Sequence, residues 1–158
     1  MQKDTVEVLK DMEEGKYSGN VVQVLQYPEG MCTPEFQAMY DRFAKRILWI
    51  DGNVVPGAVQ MNTAWYKSVP ERDPIFPEHV HPDGELIGFF GSDPEDPYDL
   101  HAEIEIGING ERRLLTKTTL VYIPGGVPHM PMRILKVDKP VFHFSLMVGA
   151  EYNGGAYK

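Results

Sequence analysis

Residues 78–85 read Glu78-His79-Val80-His81-Pro82-Asp83-Gly84-Glu85, which puts three good metal ligands of two chemical types within seven residues. Side chains alternate faces along an extended strand, so residues two apart point the same way, about 6.6 Å apart. His79 and His81 can then converge on one ion, since an imidazole nitrogen ligates at about 2.1 Å. On a helix the same spacing would point them apart. Pro77 and Pro82 flank the pair and disfavour a helix, so the extended reading is the one that works. Pro82-Asp83-Gly84 is turn chemistry that can fold Glu85 back towards the same ion, from the start of the next segment.

Outward from this run the chain has the texture of short strands. Glu85–Phe90 leads to Gly91, and residues 92–99 form an acidic loop broken by two prolines. Leu100–Ile108 and Glu111–Thr116 are joined by Asn109-Gly110, the dipeptide favoured in type I′ hairpins. A two-residue turn there would set Glu105 opposite Leu114, Glu103 opposite Thr116 and His101 opposite Thr118. Thr119–Ile123 reads as a strand before Pro124-Gly125-Gly126-Val127-Pro128-His129, and Val141–Val148 as another after an Asp138-Lys139-Pro140 turn. Upstream, Arg46–Ile50 and Gly57–Lys67 are strands divided by Asp51-Gly52-Asn53 and Pro56. Thr33-Pro34-Glu35 starts a helix whose apolar face, Phe36, Met39, Tyr40 and Phe43, suits packing against a sheet or a partner subunit. Val21–Tyr27 is expected to be a strand. A short helix is expected over 5–14, with Thr5 as cap, Val6, Leu9 and Met12 in register and Gly15 as stop. Many short strands between turns imply a mainly β sandwich or barrel.

Composition narrows the class. The 158 residues fit one domain, and 42% hydrophobic with 24% charged residues is ordinary for a globular protein. A net charge of -8 without a basic cluster argues against nucleic acid and against an anionic membrane surface. Lys3, Asp4 and Glu7 interrupt any signal-peptide core, and no apolar run reaches transmembrane length. The lone Cys32 cannot form an intramolecular disulfide and reads as filler, so a cytoplasmic protein is expected.

His79-x-His81-x3-Glu85 followed by Pro124-x-Gly126-x2-His129 resembles the two motifs of the cupin superfamily, small jelly-roll β-barrels that often hold one metal. The resemblance implies His79, His81, Glu85 and His129 as ligands of one divalent ion. It covers about Gly57 to Val148. It implies a barrel over 57–150, an N-terminal extension (helix, strand, helix) over 1–56 packed on it, and a tail over 151–158, all in one structural domain. Members commonly dimerise, so a homodimer is a further expectation, with the helix face at 36–43 as a possible contributor. Asp73 and Thr118 stand where the motifs usually open with glycine, Ser92 falls on the first motif's later glycine beside Gly91, and Arg133 replaces a closing asparagine.

Other residues compete for a place near the ion. If Glu85 points inward, alternation takes Ile87 and Phe89 inward with it. Trp65 and Tyr122 are candidate pocket aromatics. His101, Glu103 and Glu105 share one face of their strand, but Ala102, Ile104 and Ile106 make the better core face, so the polar side is expected in solvent with Arg112 balancing Glu105. The alternative puts His101 and Glu103 at the barrel mouth. In Val141–Val148, Phe142, Phe144, Leu146 and Val148 form an apolar face opposite His143, Ser145 and Met147, and a packing role is favoured for His143 over a pocket role.

Three neutral imidazoles and a carboxylate suit iron, manganese, nickel or zinc, and would leave two positions of an octahedral ion for ligands. The implied function is a metal-dependent enzyme acting on a small organic molecule, with an oxygenase favoured over an isomerase or decarboxylase. The alternative is a non-catalytic module that binds or senses a small ligand. The loop at 92–99 would disfavour a strongly anionic substrate if it bordered the site.

Overall fold

Thr33 begins the first helix as its composition requires. Its hydroxyl accepts from the Phe36 backbone N–H at 3.1 Å, Pro34 occupies the first turn, and α1 runs Pro34–Phe43. Phe36, Tyr40 and Phe43 are buried on one side of it, against Phe76 and Tyr66 of the same chain, with ring centroids 6.2 and 5.9 Å apart for Phe36–Phe76 and Phe43–Tyr66. Phe36, Tyr40 and Phe43 of the helix face are thus covered by the chain itself, with Met39 partly buried. The computed structural model describes residues 15–149; the helix expected at 5–14 and the tail at 151–158 lie outside these.

The protein is mainly β. After α1 come β1 (Ala44–Ile50), β2 (Gln60–Tyr66), β3 (Glu85–Gly91), β4 (Asp99–Ile108), β5 (Glu111–Lys117), β6 (Thr119–Ile123), β7 (His129–Val137) and β8 (Val141–Met147). They form a five-stranded sheet in the order β1-β2-β8-β3-β6 and a three-stranded sheet in the order β5-β4-β7, and their pairings are antiparallel. Two isolated bridges, Phe76 to Met132 and His79 to His129, tie the segment before β3 to β7. The sheets do not close into the continuous barrel expected from the sequence; two such layers are compatible with a jelly roll. Among the described residues no helix is long and apolar enough to cross a membrane.

Asn109 and Gly110 take φ of 48° and 80°, the left-handed pair that a type I′ turn needs, and Glu105 pairs with Leu114 as expected. Further along the register shifts: Asp99 pairs with Lys117, and His101 at φ 49° sits within the irregular stretch. The expected pairings of Glu103 with Thr116 and His101 with Thr118 are thus not formed.

Two other expectations change. Residues 21–27 form no strand; β-branched content without a pairing edge is not enough, and Leu25 and Tyr27 instead pack against the core. β7 went unanticipated because Pro128 and Pro131 argue against a strand. The structure accommodates Pro131 at the edge of its sheet, beside a register shift between Ile106 and Ile108.

Candidate metal centre

The two ligand-bearing segments are paired with each other. The His79 N–H donates to the His129 carbonyl and the His129 N–H to the His79 carbonyl, both at 3.0 Å. One turn further on, the Gly126 N–H donates to the His81 carbonyl at 2.9 Å. Gly125 must be glycine there, because a Cβ would lie 2.0 Å from the Pro82 carbonyl oxygen. Pro82-Asp83-Gly84 then turns the chain into β3, and Glu85 enters between Ile123 of β6 and Met147 of β8.

This arrangement gathers His79, His81, Glu85 and His129, each with a ligand atom within 4.8 Å of the others. His81, Glu85 and His129 are buried and His79 is half-buried, so the cluster opens on the His79 side. Each imidazole is oriented through its Nδ1, which meets a carbonyl two residues away: Pro77 at 3.0 Å for His79, Asp83 at 2.8 Å for His81 and Val127 at 2.9 Å for His129. A carbonyl can only accept, so Nδ1 carries the proton and Nε2 of the neutral ring presents a lone pair. On Glu85 the Ser145 hydroxyl donates to Oε1 at 2.5 Å, and Oε2 lies 3.1 Å from Nε2 of both His81 and His129.

The donor set fits a divalent cation. With Nδ1 protonated, the neutral rings of His81 and His129 turn lone pairs towards a carboxylate oxygen, and the buried His129 Nε2 has no partner in hydrogen-bonding geometry. Lone pairs aimed at one point in a buried site are stable only around a positive charge. The closeness of these groups also shifts their ionisation. Burial pushes the Glu85 carboxyl up, but contacts with His129, His81 and Ser145 outweigh it and hold the group well below the usual carboxylate range. His81 is raised chiefly by its contact with Glu85, whereas burial lowers His79.

Beside His79 and Glu85 lies a cavity of about 30 Å³, also lined by Ile87, His143, Ser145, Arg46 and Tyr66, among others. Ile87 and His143 therefore line this cavity, His143 against the packing role favoured for it from the sequence. Phe89 is buried just behind it, stacked on His143 at 5.1 Å, with Tyr66 on the other side at 4.9 Å. The His143 Nδ1 donates to the Gly88 carbonyl at 3.1 Å, and burial, with Arg46 nearby, depresses its pKa to about 3. Four candidates fall elsewhere. Alternation sends Ala64 and Tyr66 inward and Trp65 outward onto Phe142, and sends Val121 and Ile123 inward and Tyr122 into solvent. His101 and Glu103 lie on the outer side of β4, where His101 joins Asp96 and Asp99 in a second, partly exposed ligand-type group. Glu105 on that side meets Arg112 at 3.8 Å, as anticipated, and Arg133 at 2.9 Å.

Sequence reasoning missed Arg46 and Ser145. Ser145 carried a signal, sharing a strand face with His143. Arg46 carried a weaker one, as a charge on the buried face of β1 next to the exposed Lys45.

No family model matches the chain, and no curated protein matches it. Solved structures do. An oxalate oxidase in complex with the substrate analogue glycolate superimposes with a TM-score of 0.52 at 16% identity, over 89% of this chain and 64% of that one. A recombinant oxalate oxidase in complex with glycolate gives 0.50 at 14% identity, over 92% and 65%. A RmlC-like cupin from Shewanella frigidimarina gives 0.36 at 12% identity, over 59% and 68%. The chain thus spans about two thirds of the length of the oxalate oxidases it resembles, and at these identities the likeness speaks for fold. Paired antiparallel sheets with both motifs meeting at one cluster give this protein the fold of the cupin superfamily.

Proposed function

We propose that this protein is a metal-dependent enzyme acting on a small organic molecule, an oxygenase ahead of an isomerase or decarboxylase. The observation that carries the reading is the convergence of His81 and His129 Nε2 on one Glu85 oxygen, with a ligand atom of His79 in the same group within 4.8 Å, each ring fixed by a backbone carbonyl at Nδ1. Iron, manganese, nickel and zinc all suit this donor set. When bound, such an ion supplies Lewis acidity and, for iron or manganese, redox chemistry at open positions beside the protein ligands. The chain's own residues do the rest. Ser145 holds Glu85 in one rotamer, His79 borders the entrance, and Ile87 with the stacked His143 shapes a small cavity that excludes bulk water.

Elemental analysis of the purified protein and of His81→Ala tests the centre. The native protein is expected to hold about one ion per chain, and the variant to lose most of it while far-UV circular dichroism stays unchanged. Unchanged metal stoichiometry in the variant would overturn the ligand assignment. Anaerobically purified protein that holds only zinc and consumes no oxygen with any bound organic ligand defeats the oxygenase reading. A ligand retained through purification without turnover favours the non-catalytic binding module.

A further inference from the structure

On the outer side of the five-stranded sheet the side chains line up in rows across the strands. One row reads Ile50, Met61, Leu146, Leu86 and Tyr122, each paired with the next from β1 through β2, β8 and β3 to β6. Parallel rows run from Leu48 to Leu120 and from Lys45 to Phe90, and across all three Lys45, on an edge strand, is the one charged residue. At the other edge Leu120 and Tyr122 are 59% and 64% exposed. The middle of the face is flat, because the Phe144 ring lies over Gly88, where a Cβ would come within 2.3 Å of it. The helix α1 packs on the inner side, against Tyr66, and so does not cover this face. The three-stranded sheet is built differently: the outer side of β4 sets Glu103 beside Lys136 and Glu105 beside Arg133, as a solvated face requires.

We propose that a second copy of this chain covers the apolar face, the two five-stranded sheets packing face to face about a two-fold axis close to the central strand β8. Area supports it: strands about 4.8 Å apart and rows about 6.7 Å apart give the patch a footprint of about 24 by 20 Å. Two copies in contact would bury on the order of 1,000 Å² there before side-chain relief is counted, which reaches the size of a specific interface. Monomeric proteins rarely leave so large an apolar patch in water. Charge selects the partner. A net charge of -8 on each copy resists self-association wherever that charge is displayed. An isologous contact sets a surface against itself, so a face with one lysine at its margin meets its own copy without opposed like charges. An axis near β8, the middle strand of the five, is the placement that buries most of the patch on both copies. Glu85 points to the opposite side of this sheet, so the pairing stands apart from the metal-centre reading.

Sedimentation equilibrium of the full chain tests this, with metal content and far-UV circular dichroism measured on each sample. The native protein should sediment at twice the chain mass at micromolar concentration. Leu146→Glu, at the centre of the face, should weaken the pair about a hundredfold or more, and Leu120→Glu, at its margin, about tenfold. Both should leave the dichroism and the metal content at native levels. An equimolar mixture of Leu146→Glu and Leu146→Lys should regain the doubled mass, since an axis near β8 brings the two opposite charges together. Leu114→Glu, 56% exposed on the outer side of the other sheet, should leave the mass doubled. A native monomer overturns the proposal, whether a terminal segment outside residues 15–149 or another protein covers the face instead. So does a dimer that neither Leu146→Glu nor Leu120→Glu loosens, or one that Leu114→Glu splits as strongly. A mixture that stays monomeric shows that the axis does not pass near β8 and rejects the arrangement. Should Leu146→Glu fail to fold, the native mass and Leu120→Glu decide.

Discussion

On β4 the interior side carries Leu100, Ala102, Ile104 and Ile106, and the outer side carries His101, Glu103 and Glu105. On β8 the characters are exchanged: His143 and Ser145 face the interior between Val141 and Met147, while Phe142, Phe144 and Leu146 are half-buried on the outer side. The outer aromatics rest on one another, Phe142 on Trp65 at 5.4 Å and Phe144 on Phe90 at 6.1 Å. Alternation therefore identifies the two faces of a strand, but apolarity selects the inner one only where nothing else is asked of the interior. On β8 the buried polar groups are tolerated because each has a partner, Glu85 for Ser145 and the Gly88 carbonyl for His143.

The contrast is open to attack from both sheets. The largest effect is expected from Ile104→Ala, which empties a fully buried position in the conventional sheet and should cost about 2–5 kcal/mol in chemical denaturation. A loss below about 1 kcal/mol would mean that the interior of β4 is not the packed side. Next comes the pH dependence of the metal-free protein. Folded His143 stays neutral down to about 3, whereas the unfolded residue protonates near 6.5. Between those values the unfolded chain binds the extra proton, so stability is full above about 6.5 and falls as pH drops towards 3, by up to about 1.4 kcal/mol per pH unit. His143→Asn keeps a donor for the Gly88 carbonyl and should flatten this slope; identical slopes in both proteins would show that His143 is not held neutral. The smallest effect is reserved for Glu103→Gln on the outer side of β4, expected within about 0.5 kcal/mol of native stability and with unchanged metal content. A larger change in either would reopen the barrel-mouth role.

What the sequence disclosed was what lies close together along it. His79, His81 and Glu85 are legible because a strand and a turn fix their geometry within seven residues, and Asn109-Gly110 announces its hairpin for the same reason. What stayed hidden depends on partners far away. Arg46 reaches the cavity through α1, β1 and β2, and Ser145 reaches Glu85 across the β3–β8 pairing. The departures from the cupin motifs are also a long-range matter. Asp73 and Arg133, each unusual alone, form an ion pair at 2.8 Å, and Thr118 accepts the Gly91 N–H at 3.0 Å beside Ser92. A linear reading meets each of these as an isolated exception, whereas in the fold they answer one another.

The reciprocal hydrogen bonds between His79 and His129, with Gly125 seated on the Pro82 carbonyl, also bear on how the chain is assembled. Neither motif can present its imidazoles in position until the other has docked, and docking them closes a long loop that contains β3 to β6. Chelation by the full ligand set therefore waits for that docking, and the uptake of an ion by refolding protein reports the moment at which the two motifs have found each other.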